Sequence, residues 1–306
     1  MTGIAEVLMK ALAFVSIIVM GYVLKRVGFF QAKEFYLISK IVIKITLPSA
    51  IVANFSKISM DGSMLILCVI GIVCNLALVA AGYGINLRKS RQEKAFGMLN
   101  LSGYNIGNFT MPFVQNFLGP VGFAATSLFD AGNSVMCTGV TYTLASTVNG
   151  GEEKTSLGKI IKTLLSSVPF DAYVIMTILV VAKVKLPGVV ISFAETAGGA
   201  NAFLALLMIG IGFEVRADKE KIWKIIKFLA IRYSLALVFS LGLFFLTPFE
   251  LEVRQALAIV AFGPVSSVSP AFTGKIGGDV ELSSAINSLT IVASIITITI
   301  ALIVVL

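Results

Sequence analysis

Ten apolar stretches fill most of this 306-residue chain, at about 4–25, 33–55, 63–86, 94–118, 120–148, 168–184, 188–213, 222–246, 254–276 and 280–305. In hydrocarbon no water pairs with the backbone, so each stretch must be helical or be covered where it is not. The gaps between stretches leave no room for an extramembrane domain. Only 13% of residues are charged, against roughly 25% in ordinary globular chains. The expectation is an all-α integral membrane protein of ten transmembrane helices, with residues 4–25 a retained first span.

Two of the stretches carry residues that suit an unbroken helix poorly. One contains Ser102-Gly103-Tyr104-Asn105-Ile106-Gly107-Asn108-Phe109-Thr110-Met111-Pro112, and the other Phe262-Gly263-Pro264-Val265-Ser266-Ser267-Val268-Ser269-Pro270. Each lies in the fourth of five spans, with a polar linker at 149–162 between the halves. Five spans per half invert the second half relative to the first. Paired interruptions in inverted halves mark the binding site of a secondary transporter. Counted along each span, both breaks fall near mid-bilayer.

Pro112 and Pro270 suit the first turn of a new half-helix. Its amides would face the centre and favour an anion. The half-helices ending near Gly103 and Gly263 would present carbonyls to a cation. Asn105, Asn108, Thr110, Ser266, Ser267 and Ser269 are the candidate substrate-binding side chains. Gly103, Gly107, Pro112, Gly263, Pro264 and Pro270 are the breakers.

Asp130 lies mid-span, with Asn133 about one turn on. An intramembrane acid is a functional candidate by default. Asp130 is therefore expected either to carry a coupling proton or to bond the exposed backbone of the break. Asn133 and Glu195 are the further candidates for ion or proton coupling, although Glu195, the second buried-acid candidate, is rather expected to pair with a lysine of span 2. Lys40, Lys44 and Arg232 either snorkel or line a cytoplasmic approach for anions, and a structural role is the expectation for all three.

The net charge of +8 belongs to the membrane rather than to nucleic acid. Lys25, Arg26, Lys33, Arg88, Lys89, Arg91, Lys94, Lys154, Lys159, Lys162, Arg216, Lys219, Lys221, Lys224, Lys227 and Lys275 fall on one side, against Lys57, Lys183 and Lys185 on the other. The first side is then cytoplasmic. The chain is expected to be a multi-pass protein of the cell (inner) membrane with both termini extracytoplasmic.

There is no histidine, which removes imidazole relays and rhomboid-type proteolysis. Aspartyl-type proteolysis needs two facing acids, and only Asp130 is well placed, so the chain is not expected to be an enzyme. Cys68, Cys74 and Cys137 fall inside spans and read as packing residues.

The segment Asn105-Ile106-Gly107-Asn108-Phe109-Thr110-Met111-Pro112-Phe113, the Leu47-Pro48 of span 2 and the Gly263-Pro264…Pro270 of span 9 resemble the auxin efflux carrier family. That family includes plant PIN-FORMED carriers and bacterial malate or malonate permeases. The resemblance implies a bile-acid-symporter-like fold of two inverted five-helix repeats, residues 1–148 and 163–306. Spans 4 and 9 would cross, spans 1, 2, 6 and 7 form a scaffold, and spans 3–5 and 8–10 a transport body. It also implies elevator-type alternating access, a homodimer, and a carboxylate-binding asparagine at Asn105 or Asn108. The break in span 9 departs from the family in carrying serines. The expected function is transport of a small organic anion, with no cofactor beyond a coupling proton or sodium ion. A channel or membrane sensor of the same fold is the alternative.

Overall fold

A computed structural model describes residues 2–59, 62–151, 156–214 and 219–306. Glu152, Glu153 and Lys154 of the linker and Arg216 lie outside the described residues. Among those described, every regular element is helical. In order they are α1 (Thr2–Arg26), α2 (Ala32–Ile41), α3 (Leu47–Phe55), α4 (Ile66–Gly84), α5 (Arg91–Leu101), α6 (Met111–Phe117), α7 (Pro120–Val135) and α8 (Thr141–Asn149). Then come α9 (Leu157–Leu164), α10 (Val168–Val181), α11 (Gly188–Gly199), α12 (Asn201–Gly212), α13 (Lys219–Leu246), α14 (Leu251–Ala261), α15 (Ser269–Lys275) and α16 (Val280–Val305).

Six segments are long and apolar enough to cross a membrane: Ile4–Arg26, Lys33–Phe55, Ile66–Gly84, Gly188–Gly212, Lys221–Leu246 and Val280–Val305. A seventh is added if α9 and α10, bent by 80°, form one span. The stretches at 94–118, 120–148 and 254–276 are helical in pieces. Wide π-helical turns at Val42–Thr46, Ile106–Thr110 and Met136–Val140 join α2 to α3, lead into α6, and join α7 to α8. The first precedes Pro48, whose ring clashes with a regular preceding turn and whose nitrogen cannot donate. Ser156 caps α9, so the expected linker ends in helix.

At the centre stands α7, where every residue from Gly122 to Asn133 is buried. A helix covered on all sides needs neighbours that approach closely, and small residues permit this. Gly132 lies against the backbone of Cys68, and Gly71 of α4 against that of Phe129 and Asn133. The first turn of α7 is held by Glu252 of α14, which accepts from Gly122 N at 2.7 Å. A carboxylate at a helix N-terminus is favoured by both the free amide and the dipole. Thus α7 is fixed by α4 along one flank and by α14 at its start, and it presents Asp130 and Asn133 to the first break.

Candidate functional site: the contact between two broken helices

The first break begins where α5 stops at Leu101. Ser102 is extended and Gly103 has φ +76°, a left-handed conformation that favours glycine. The freed backbone groups are met by side chains. Gly103 N donates to Asn75 Oδ1 at 2.8 Å. Tyr104 N donates to Asn133 Oδ1 at 3.0 Å, and Asn133 Nδ2 donates back to Tyr104 O at 2.9 Å. Asn75 Nδ2 completes the set with a 3.2 Å bond to Asn133 Oδ1.

The second break is braced in the same manner. Asn287 of α16 donates to Val265 O at 3.0 Å and to Ser266 O at 3.1 Å. Val265 N donates to Thr290 Oγ1 at 3.2 Å, and Ser294 Oγ donates to Phe262 O at 2.6 Å. Buried backbone groups must be paired; the first break finds its partners on α4 and α7, and the second on α16.

The two breaks touch. Asn105 N donates to Pro264 O at 2.9 Å. A methyl group added at Gly103 would lie 2.8 Å from Ser266 Cβ, and one at Gly263 would lie 3.0 Å from Thr110 Oγ1. Both glycines are thus set by close approach, Gly103 by its φ as well.

Arg232 of α13 sits on this contact, 1% exposed. Its guanidinium donates to Leu101 O, to Gly103 O at 3.0 Å and to Gly263 O at 2.9 Å. The Tyr104 ring lies 4.6 Å from its charge centre. No carboxylate pairs with it among the described residues. Of the readings open for Arg232 this is the structural one, since it does not snorkel to an edge. The expected cation site is corrected, because the carbonyl ends of α5 and α14 are already taken. The guanidinium fills that place because its planar fork reaches three acceptors at once.

Asp130 is buried at 7% exposure. Its Oδ1 accepts from Asn133 Nδ2 and its Oδ2 from Tyr173 OH of α10, both at 2.9 Å. A side chain at Gly107 would come within 3.7 Å of Asp130 Oδ2. Asp130 is therefore linked to the break through Asn133, and to α10 through Tyr173.

The other candidates divide. Asn105 and Asn108 are half-buried, and their side-chain amides make no hydrogen bond among the described residues. Thr110 Oγ1 is buried without a partner. The amides of Ile106 to Phe109 open the restarted helix, where no preceding turn supplies acceptors. Pro112 lies in the first turn of α6, and the wide turn at Ile106–Thr110 comes before it, so the chain resumes helical form from Ile106. Pro270 likewise lies in the first turn of α15, but α15 is only seven residues long. Ser266 and Ser269 are buried, while Ser267 is exposed.

Glu195 is not a buried acid: it is half-exposed and pairs with Lys57, just past α3, at 2.8 Å. The expected lysine partner was right in kind, but Glu195 takes no part in the contact between the breaks. Asn75 and Tyr173 escape sequence reasoning; a lone mid-span asparagine gives a weak signal, and a tyrosine in an apolar run gives none. The three cysteines are free, and Cys137 packs under Gly103.

A scan against models of protein families finds no match, and a search among curated proteins finds none.

Proposed function

We propose that the chain is a secondary carrier of small organic carboxylates, with the anion held where the two broken helices meet. The observation that carries this reading is Arg232: a fully buried cation, paired only with neutral carbonyls, joining both breaks. Holding such a charge away from water is unfavourable, and an anion nearby relieves it. Asn105, Asn108, Thr110 and the amides of Ile106 to Phe109 supply further polar groups in the first break. A site with these donors suits a carboxylate.

The architecture proposed with it is ten transmembrane helices in two inverted repeats, as in the auxin efflux carrier family. Equivalent braces support the inversion. Asn133 holds one break and Asn287 the other. Glu252 at the start of α14 meets the turn at Gly119, while Gln92 at the start of α5 donates to Gly277 O. The proposal extends to a multi-pass inner-membrane location with both termini extracytoplasmic, a homodimer, and elevator-type movement of spans 3–5 and 8–10 against spans 1, 2, 6 and 7. In that division the Tyr173–Asp130 bond crosses the sliding boundary.

Charge arithmetic gives a coupling mechanism. With Asp130 ionised, the charges of Asp130 and Arg232 cancel around Tyr104. A proton on Asp130 leaves the cation uncompensated and strengthens the pull on an anion. Proton and anion then bind with positive cooperativity, and by linkage each tightens the other. Asp130→Asn fixes the neutral form. Its expected outcome is exchange of a bound carboxylate at a pH-independent rate, with no accumulation driven by a pH gradient. Accumulation equal to that of the wild type would remove Asp130 from coupling.

Counterflow of radiolabelled malate or malonate in proteoliposomes tests the site itself. Asn105→Ala and Asn108→Ala are each expected to weaken exchange by about tenfold, the loss of one hydrogen bond to a charged group of ~1.5 kcal/mol. Unchanged exchange in both variants would remove the site assignment. Conductance without counterflow in the wild type would make the protein a channel.

A further inference from the structure

At one end of the helix bundle a cleft of about 490 Å³ opens between the 85–93 segment, the start of α13 and the 277–279 turn. Lys89, Lys224 and Lys227 line it. Phe96 and Phe228 give it an apolar wall, packed edge to face at 5.6 Å. Two acids also border it, Glu93 and Asp279. Glu93 accepts from Ser90 Oγ at 3.0 Å and Ser90 N at 3.2 Å, bonds that hold its carboxyl below the usual range. Asp279 is bound to Lys221 at 3.1 Å and to Leu282 N at 2.9 Å. Lys89, Lys224 and Lys227 have no carboxylate within ion-pair distance among the described residues. Glu93 keeps its negative charge and acts through space on Lys89 and Lys224, so three lysines against two carboxylates leave the cleft net positive above an apolar wall.

Its height relative to a bilayer follows from the outer face of α13. Trp223, beside Lys224, is 77% exposed, and Ile222 and Ile226 are exposed with it. Tryptophan concentrates at the level of lipid headgroups. The lysine count also places this end on the cytoplasmic side. Basic pockets between transmembrane helices on that side take anionic headgroups.

We propose that this cleft binds the phosphate of an anionic phospholipid, with the lysines on the phosphate and the first methylenes against Phe96 and Phe228. The inference rests on the proposed orientation of the chain but not on the carrier reading. A lipid seated there touches α5 and the turn after α15, the outer ends of both broken segments. Gln92 already ties these ends by its bond to Gly277 O.

The test is native mass spectrometry of the full chain in detergent, titrated with phosphatidylglycerol, phosphatidylcholine or glycerol 3-phosphate. The variant is Lys89→Gln, Lys224→Gln and Lys227→Gln together. The control, Lys33→Gln, Lys159→Gln and Lys162→Gln, removes the same charge elsewhere on the same side. The expected result is retention of phosphatidylglycerol over phosphatidylcholine by wild type and control. The cleft variant should lose at least about tenfold in apparent affinity. Competition by glycerol 3-phosphate at comparable concentration would keep the phosphate chemistry but make the ligand soluble. Equal losses in cleft and control variants, or equal binding of phosphatidylcholine, would overturn the proposal. These lysines are exposed, so the fold is expected to survive; should the triple variant not fold, Lys224→Gln alone is read on the same titration.

Discussion

Arg232→Gln is expected to reduce carboxylate exchange by about 100-fold and to lower stability measurably in detergent. Two effects combine. A hydrogen bond to a charged group contributes ~1.5–3 kcal/mol, and ~1.4 kcal/mol is tenfold. Glutamine has one amide for three carbonyls, so Leu101, Gly103 or Gly263 loses its partner. Each carbonyl left unmet costs about 1–3 kcal/mol. Arg232→Lys separates the charge from the fork. It keeps the cation but cannot span three acceptors in one plane, so it should retain anion binding better than Arg232→Gln while still losing stability. Exchange assays and thermal unfolding on the same preparations read both. If Arg232→Gln folds and exchanges like the wild type, the buried cation is a strut between helices and the anion site lies elsewhere.

Asn133→Ala should be the most damaging single change in α7. Side-chain hydrogen bonds between transmembrane helices average only ~0.6 kcal/mol, because the separated helices find other partners. Asn133 differs in what it holds. Two of its bonds meet the N–H and C=O of Tyr104, which the break has released from any helical ladder. Both would be left buried and unpaired, at about 1–3 kcal/mol each. A third bond, to Asp130 Oδ1, is lost with them. The measurable result is a fall in thermal midpoint well beyond that of Asn105→Ala, whose side chain is free. Equal shifts for the two variants would mean that the break holds its shape without Asn133.

The two predictions bear on different parts of one chain of contacts. Asp130 holds Asn133, Asn133 holds Tyr104, and the Tyr104 ring faces Arg232. The charges at its ends are never in direct contact among the described ion pairs. Their influence on each other passes through a low-dielectric interior, where a charge is felt further than in water. A proton at one end can therefore alter an anion's affinity at the other with little movement between.

Much of this was legible in the residues alone. Apolar stretches bounded by lysines and glycines fix where helices lie, because local periodicity and chain breakers act over a few neighbours. The interruptions at Gly103 and Gly263 were visible for the same reason: glycine and proline deny the backbone its helical bonds wherever the rest of the chain goes. Asp130 stood out as a charge in an apolar run. What its oxygens would meet was not legible, since Tyr173 is 43 residues away and nothing in a single stretch encodes such a pairing.

Residue types alone dictate that the chain is helical and greasy, and that it is twice interrupted at glycine and proline. Those outcomes follow from backbone sterics and from hydropathy, which each residue carries with it. Helix packing is what brings the interruptions together, lets Asn133 and Asn287 close them, and puts Arg232 rather than a solute ion at the carbonyl ends. Those outcomes depend on which helices pack together, and a guanidinium finds three carbonyls only after α5, α13 and α14 have converged.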